Sequence, residues 1–399
     1  MERHTLRCIA GSALTAAIFV GCSSRSPFTD SLEAARSPNP DMARADGSIR
    51  SFRSASSAPM SDELPVLDQD ATLDDYLRYA ALNNPGLEAK FQEWKAAVER
   101  LPQVSALPDP RLTYGYYLGE VETRVGPMKH LLSLSQTFPW FGKLQDREDA
   151  AARDANAAYE RFEAARLALF LRVERAYNEL YFLKRSIDIS NDNIELLKQF
   201  ERVARSRYRV AAAGHPDIIR VQVELGTVED RLRRLRDLRA PYMARLNAAL
   251  NRAPDAEVPW PASVSDRVSD ASDDQLVAAL RDRNPELIAL QEEIERERIG
   301  SEIARKDGLP DFTVGLAYTF IDDRSDVDIP ENGDDAVLAT FSVNLPIWRE
   351  KYDATVREAV ARRLAAAGRR DETMNQLTSD LHEALFEHQD ARRRIRLYR

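Results

Sequence analysis

Between Gly142 and Gly214 the chain runs from Lys143 to Ala213 without a single glycine or proline. A breaker-free run of about 70 residues compares with a mean helix of roughly 11–12. As one helix it is on the order of 105 Å long. Its apolar positions recur in steps of three and four: Tyr159, Phe162, Leu169, Val173, Ala176, Leu180, Leu183, Ile187, Ile194, Leu197, Ala204 and Tyr208. Arg166, Ser190 and Glu201 interrupt the register. This is the 3.5 repeat of supercoiled helices.

Composition narrows what such a rod serves. Of 399 residues 44% are hydrophobic and 30% charged, the formal net charge is −9, and there are 15 glycines. Scarce glycine and long periodic runs favour extended helix over a compact globule. The acidic balance argues against nucleic acid. After residue 22 no stretch of 18 apolar residues occurs, so any membrane crossing has to be a β-barrel.

Residues 1–22 have the form of an export signal, with Arg3 and Arg7 ahead of a short apolar core, Cys8 to Val20. The core ends in Phe19-Val20-Gly21-Cys22. This resembles a lipobox, which implies Cys22 as a lipidated N-terminus, with Phe19 where leucine is usual. An ordinary signal peptide with an incidental cysteine stays open. Cys8 and Cys22 are the only cysteines, so the mature chain is expected to hold no intramolecular disulfide. Residues 23–70, rich in Ser, Ala, Pro and Asp, read as a flexible tether or a tail without a role.

From Thr72 a helix is expected, with Asp75 completing its start and Asn84-Pro85 kinking or restarting it. After Pro110 the period changes to two. Leu112, Tyr114, Tyr116 and Leu118 alternate with Thr113, Gly115, Tyr117 and Gly119. A loop at Gly126-Pro127 is expected, and then Leu132, Leu134 and Phe138 alternate with Ser133, Ser135 and Thr137. The strands are predicted at 111–119 and 131–138. Their length suits a tilted bilayer crossing. A soluble hairpin shows the same alternation. Phe138-Pro139-Trp140-Phe141-Gly142-Lys143 then ends the strand and launches the long helix, its aromatics suited to a membrane interface. At the far end Gly214-His215-Pro216-Asp217 reads as a tight turn, with Gly214 as the left-handed residue closing the helix. The return helix ends near Asn251, and 254–261 reads as linker.

The pattern then recurs. Asn284-Pro285 echoes Asn84-Pro85, Leu309-Pro310-Asp311 echoes Leu107-Pro108-Asp109, and Leu345-Pro346-Ile347-Trp348 echoes Phe138-Pro139-Trp140-Phe141. Strands are predicted at 312–320 and 337–345, separated by an acidic loop, Asp322 to Asp335. The expected division is signal peptide 1–22, tether 23–70, first repeat 72–251, linker 252–269 and second repeat 270–399. Four strands per chain cannot close a barrel, whereas three chains supply twelve.

With these residues in place, 72–399 resembles the TolC-like outer-membrane efflux proteins. The match rests on the twofold repeat, on Ser135–Lys143 and Asn344–Trp348, and on the tip from Arg207-Tyr208 to Asp217-Ile218-Ile219. The segment Phe138–Lys143 looks most like the branch associated with metal-cation export. The resemblance implies a mainly α fold, with long antiparallel helices forming a periplasmic α-barrel. It also implies four transmembrane strands per chain in a trimeric twelve-stranded barrel. It further implies a passive exit duct in the outer membrane of a Gram-negative bacterium, a homotrimer working with a periplasmic adaptor and an inner-membrane pump. The expected adaptor contacts are Gly214, His215, Pro216 and Asp217. Phe138, Trp140, Phe141 and Trp348 are expected at the membrane interface. The second repeat stops inside its long helix, so no gate residues carry over.

Other classes stand beside this one: a soluble periplasmic coiled-coil scaffold, or a truncated, non-functional duct fragment. An enzyme is disfavoured. His4, His130, His215, His382 and His388 show no metal-ligand spacing, and no phosphate loop or nucleophile motif appears. No catalytic residue, metal or cofactor is expected. The acidic loop lacks an EF-hand pattern.

Overall fold

The computed structural model describes residues 64–212, 214–264, 271–326 and 329–398. Cys8, Cys22, the export signal and the tether up to residue 63 lie outside the described residues. In chain order the elements begin with α1 (Leu73–Asn83), α2 (Pro85–Val98), α3 (Leu101–Ser105), β1 (Arg111–Thr123) and β2 (Gly126–Phe138). The long helix α4 (Lys143–Arg209) is followed by α5 (His215–Asp237) and α6 (Arg239–Leu250). Then come α7 (Asp273–Arg283), α8 (Pro285–Asp307), β3 (Phe312–Ile321), β4 (Ala336–Val343) and α9 (Arg349–Tyr398).

Helix starts follow the local chemistry. Thr72 donates from both N and Oγ1 to Asp75 Oδ2, at 2.8 and 2.7 Å. Asn84 Oδ1 accepts from the amides of Gly86 and Leu87 at 3.0 and 3.1 Å, so the Asn-Pro step restarts a helix with a side-chain cap. Asn284 does the same for α8, accepting from Glu286 and Leu287 at 3.0 and 3.2 Å.

The helix α4 has 67 residues, roughly 100 Å of rise. Its buried seam follows the 3.5 repeat as far as Ile194, while Tyr208 at the far end of that repeat is exposed. Phe162, Leu169, Val173, Ala176, Leu180, Leu183 and Ile194 are buried. The polar interruptions find polar partners. Ser190 Oγ donates to Ser186 O, Arg166 pairs with Glu163, and Glu201 accepts from Arg205 and Gln222. Against this seam pack α1 to α3 on one stretch and α5 and α6 on the next. The two groups meet end to end, where Asn84 Nδ2 donates to Ala249 O and Asn83 Nδ2 to Leu250 O, at 2.9 and 2.8 Å. The core there joins Tyr76, Leu77, Leu87, Phe162, Tyr177 and Leu246. Burial first of all, and then neighbouring Tyr177, push the Tyr76 phenol up to about 12. Val258 is buried in the same core and Trp260 packs on it, so this part of the expected linker folds back. Leu67 packs there too, ahead of the expected end of the tether.

Antiparallel to α4 lies α8, ladder-paired by Arg153–Glu292, Arg296–Asp154 and Lys306–Asp146. On α8 lies α9, with Arg369 reaching Glu293.

Three local expectations change. The long helix stops at Arg209, and its left-handed residue is Ala211, φ 58°, not Gly214. Ala212 N donates to Arg207 O and Ala211 N to Tyr208 O, which is the Schellman arrangement. Gly214 is extended, φ −86°, and caps the start of α5. The β1–β2 turn is Arg124-Val125, and Gly126 and Pro127 already belong to β2. Lastly, β1 and β2 run to 13 residues each, while β4 ends at Val343.

Candidate functional site

The four strands form one antiparallel sheet in the order β1-β2-β3-β4. Its register sets every side chain. Leu112 pairs with Leu134, and Leu134 with Leu316, which faces Ala339. Tyr114 pairs with Leu132, and Leu132 with Tyr318. Phe138 pairs with Phe312, and Phe312 with Val343. One face therefore carries aliphatic and aromatic residues from all four strands, and Leu112, Tyr114, Leu132, Leu134, Leu316 and Phe341 on it are exposed. His130 sits among them, with Tyr114 Oη 2.9 Å from its Nδ1. The opposite face carries Thr113, Gly115, Ser133, Ser135, Thr137, Thr313, Gly315, Thr340 and Ser342, together with Leu131, Ala317 and Leu338. A Cβ on Gly315 would stand 2.5 Å from Thr340 Oγ1, so this face is closely filled around β3.

At one end of the sheet two loops are laced together. Gly333 N donates to Val125 O at 2.7 Å, Asp322 N to Pro127 O at 3.0 Å, and Arg124 pairs with Glu331. Gly126, at φ 137°, is required here, because a Cβ would lie 1.7 Å from Asp322 O.

At the other end the strands pass into helices. Asp311 Oδ1 accepts from Trp140 N and from Lys143 Nζ, both at 2.8 Å. Lys143, buried to 3% exposure, also donates to Leu309 O at 3.1 Å. Asp311 N donates to Asn344 Oδ1, and Asn344 N to Asp311 O. Trp140 stacks on Phe312 with ring centroids 5.6 Å apart and meets Phe141 edge-on at 5.9 Å. Phe138, Phe141 and Trp348 are exposed, whereas Trp140 is half-covered. Trp348 makes no ring contact among the described residues.

Far along α4 is the tip. Gly214, His215, Pro216 and Asp217 are all exposed and occupy the cap and first turn of α5. The His215 ring lies 5.6 Å from that of Tyr208. Asp217 stands in the first turn, where the helix dipole favours a carboxylate.

Two features escaped the sequence reading. One is the Lys143–Asp311 knot, whose only signal was the repeated Leu-Pro-Asp before each strand pair. The other is a second apolar seam on α4: Leu167, Leu171, Phe182, Ile189, Leu196, Phe200 and Val203, all exposed. At about 100° per residue these fall within an arc of roughly 60°, opposite the buried seam.

Among the described residues no group of three or more metal-ligating side chains gathers, and no helix is long and apolar enough to cross a membrane.

Residues 76–252 match the family model of the outer membrane efflux protein. No curated protein is similar to the chain in sequence. Several solved structures share its fold. CusC, from a study of transmembrane channel formation, superposes with a TM-score of 0.67 at 13% identity, covering 85% of this chain and 82% of that one. The outer membrane protein VceC from Vibrio cholerae gives 0.64 at 18% identity, covering 81% and 80%. The outer membrane channel MtrE from Neisseria gonorrhoeae, in its open state, gives 0.60 at 15%, covering 80% and 75%. Residues 76–252 thus resemble the outer membrane efflux protein family, and the described chain shares the fold of these solved outer-membrane channels.

Proposed function

We propose that the chain is one-third of a passive exit duct in the outer membrane of a Gram-negative bacterium. Three copies close a twelve-stranded barrel, and their helices line a continuous periplasmic passage. No bond is made or broken in such a duct. The observation that carries this reading is the sheet. Its exposed apolar face amounts to on the order of 1,000 Å², counting about half of each aromatic and aliphatic side chain. Monomeric soluble proteins rarely expose more than a few hundred in one patch. Among the described residues both edges, β1 and β4, lack a strand partner and are open to pairing with another copy. A lipid surround covers the face, and neighbouring copies cover the edges. The exposed seam of α4 supports the same assembly, since a helix in a barrel wall needs a partner on either side.

In this reading Phe138, Trp140, Phe141 and Trp348 lie at the periplasmic membrane interface. Gly214, His215, Pro216 and Asp217 meet a periplasmic adaptor that leads to an inner-membrane pump. Cys22, lipidated, anchors the N-terminus. The domain division is likewise functional: 72–251 and 270–399 each supply one hairpin and one wall segment.

The test is fractionation of cells expressing the full chain, followed by carbonate washing, detergent extraction and crosslinking. The expected result is a detergent-dependent trimer in the outer-membrane fraction. A monomer released by carbonate would refute the duct and favour a soluble periplasmic scaffold. Mass spectrometry of the mature protein should show a diacylglyceryl adduct on Cys22, and an unmodified Cys22 would refute the anchor. A photo-crosslinker at His215 should capture the adaptor. Capture only from positions near Phe141 would refute docking at the tip.

A further inference from the structure

The α4–α5 tip carries an excess of positive charge, as do residues 231–239 and 392–399 elsewhere in the chain. Between residues 201 and 220 stand Arg202, Arg205, Arg207, Arg209 and Arg220, against only Glu201 and Asp217. Both carboxylates are already engaged. Glu201 accepts from Arg205 and Gln222, each at 2.8 Å, and Asp217 lies 4.0 Å from Arg220. Arg202, Arg207 and Arg209 are exposed and have no carboxylate partner among the described residues. The helix dipole accounts for arginines in the last turn of α4, where Arg207 and Arg209 stand. It does not account for Arg202, two turns back, because the effect fades within one turn. Interleaved with these arginines are exposed Tyr208, Val210 and Ile219, beyond the seam that faces neighbouring copies. Arginine mixed with aromatic and aliphatic side chains is the composition of a protein–protein contact.

We propose that the tip recognises its protein partner through carboxylates that the partner supplies to Arg202, Arg207 and Arg209. The docking surface is the end of the α4–α5 hairpin, where these arginines stand with exposed Tyr208 and Val210. This rests on the reading above that the tip meets an adaptor, and it adds the chemistry that the adaptor brings. Guanidinium groups offer bidentate bonds to carboxylates, and rim charges act mainly on encounter rate and salt dependence.

The experiment uses the full chain in detergent with three synthetic helical hairpins of one length. Near their turns these probes carry glutamate, glutamine or lysine. At 0.1 M salt, with a Debye length of about 10 Å, the glutamate probe should bind at least about tenfold tighter than the glutamine probe. At 1 M salt, where that length is about 3 Å, the preference should vanish. The triple variant Arg202→Gln, Arg207→Gln, Arg209→Gln should lose it too, with unchanged helical circular dichroism. Equal binding of the glutamate and glutamine probes, or a preference that survives in the triple variant, would overturn the proposal. A photo-crosslinker at His215 in cells separates the two levels. A protein adduct lost in the triple variant supports the proposal. A protein adduct unaffected by the variant overturns the acidic chemistry and leaves tip docking standing. No protein adduct overturns the docking itself, and a lipid adduct assigns the arginines to an anionic membrane surface instead.

Discussion

An arginine placed at Leu316 should separate a lipid-facing sheet from a soluble one. Leu316 is the fifth of ten residues in β3, a central strand flanked by Leu134 and Ala339. Ten residues span about 34 Å, and a tilt of about 40° brings that to roughly 26 Å along the membrane normal. The apolar band of a barrel is about 25 Å tall, so Leu316 falls near its middle. There an arginine costs about 2–4 kcal/mol, a factor of roughly 30 to 1,000 in the folding equilibrium. The matched control is Ser133→Arg on β2, opposite Thr113 and Ala317 on the polar face. A lumen-facing arginine keeps its water, so the control should cost little beyond crowding. Gly315, adjacent to Leu316 and polar-facing by register, reads from sequence as the natural control. The structure removes it, because any Cβ there meets Thr340 Oγ1 at 2.5 Å. The assay is folding of each variant into lipid vesicles across a urea series, with trimer yield in cells as the second readout. Equal tolerance at Leu316 and Ser133 would refute the lipid-facing assignment. A severe loss at Ser133 alone would mean that the faces are swapped and the polar side is a packed core.

Three further outcomes follow from the geometry. Ala211→Gly should stabilise the tip by about 1 kcal/mol, since an L-residue at φ 58° carries that cost and glycine does not; slower proteolysis at the tip would report it. Asp311→Ala should cost roughly 3–5 kcal/mol by leaving the buried Lys143 ammonium without its carboxylate, and Asp311→Ala with Lys143→Met should recover part of this in chemical denaturation. The phenol of Tyr76 ionises near 10 in the unfolded chain and about 12 in the folded one. Its proton is thus held more tightly in the fold, and the stability it brings is whole below pH 10 and lost as pH rises towards 12. The loss should be about 2–3 kcal/mol in urea titrations across that window, and it should be smaller in Tyr76→Phe, where Tyr177, also pushed up by burial, remains.

Periodicity carried most of the architecture into the sequence. The 3.5 repeat of α4 named its buried seam, and the two-residue alternation named the apolar sheet face from Leu112 to Val343. What escaped is what depends on distant partners. Gly126-Pro127 has the local chemistry of a turn, yet Gly126 is there because the Asp322 carbonyl, far along the chain, crosses over it. Lys143 opens a polar helix and reads as a solvated lysine. Its carboxylate comes from Asp311, 168 positions away. Ala211 in the left-handed region gives no local sign, because the two carbonyl bonds that hold it there are formed only when the turn closes. With glycine at 214, the expectation moved three residues too far. The second seam of α4 was hidden by its own neighbours, since Leu167, Leu171 and Phe182 are separated by charged residues that dilute any single period. It shows only once the first seam has been assigned to partners within the chain.

The junction between sheet and helices is where the two halves become one mechanical unit. Gln136 Nε2 donates to Pro108 O at 2.7 Å, tying the end of β2 to the entry of β1. Trp140 N and Lys143 Nζ both reach Asp311, tying the start of α4 to the entry of β3. Asp311 and Asn344 exchange bonds, tying that entry to the exit of β4. Each of the four strand–helix crossings is thereby fastened to another by a side-chain polar bond. A short strand pair is marginal by itself in water. A helix of about 100 Å amplifies any angular freedom at its root, so a loose crossing would leave the far tip undefined. The Lys143–Asp311 pair with its further hydrogen bonds resists displacement, because separating it leaves the buried Lys143 ammonium unpaired. Asp311 therefore does for the direction of α4 what the 3.5 repeat does for its packing. The first relation joins residues 168 positions apart, while the second is local and was legible from sequence.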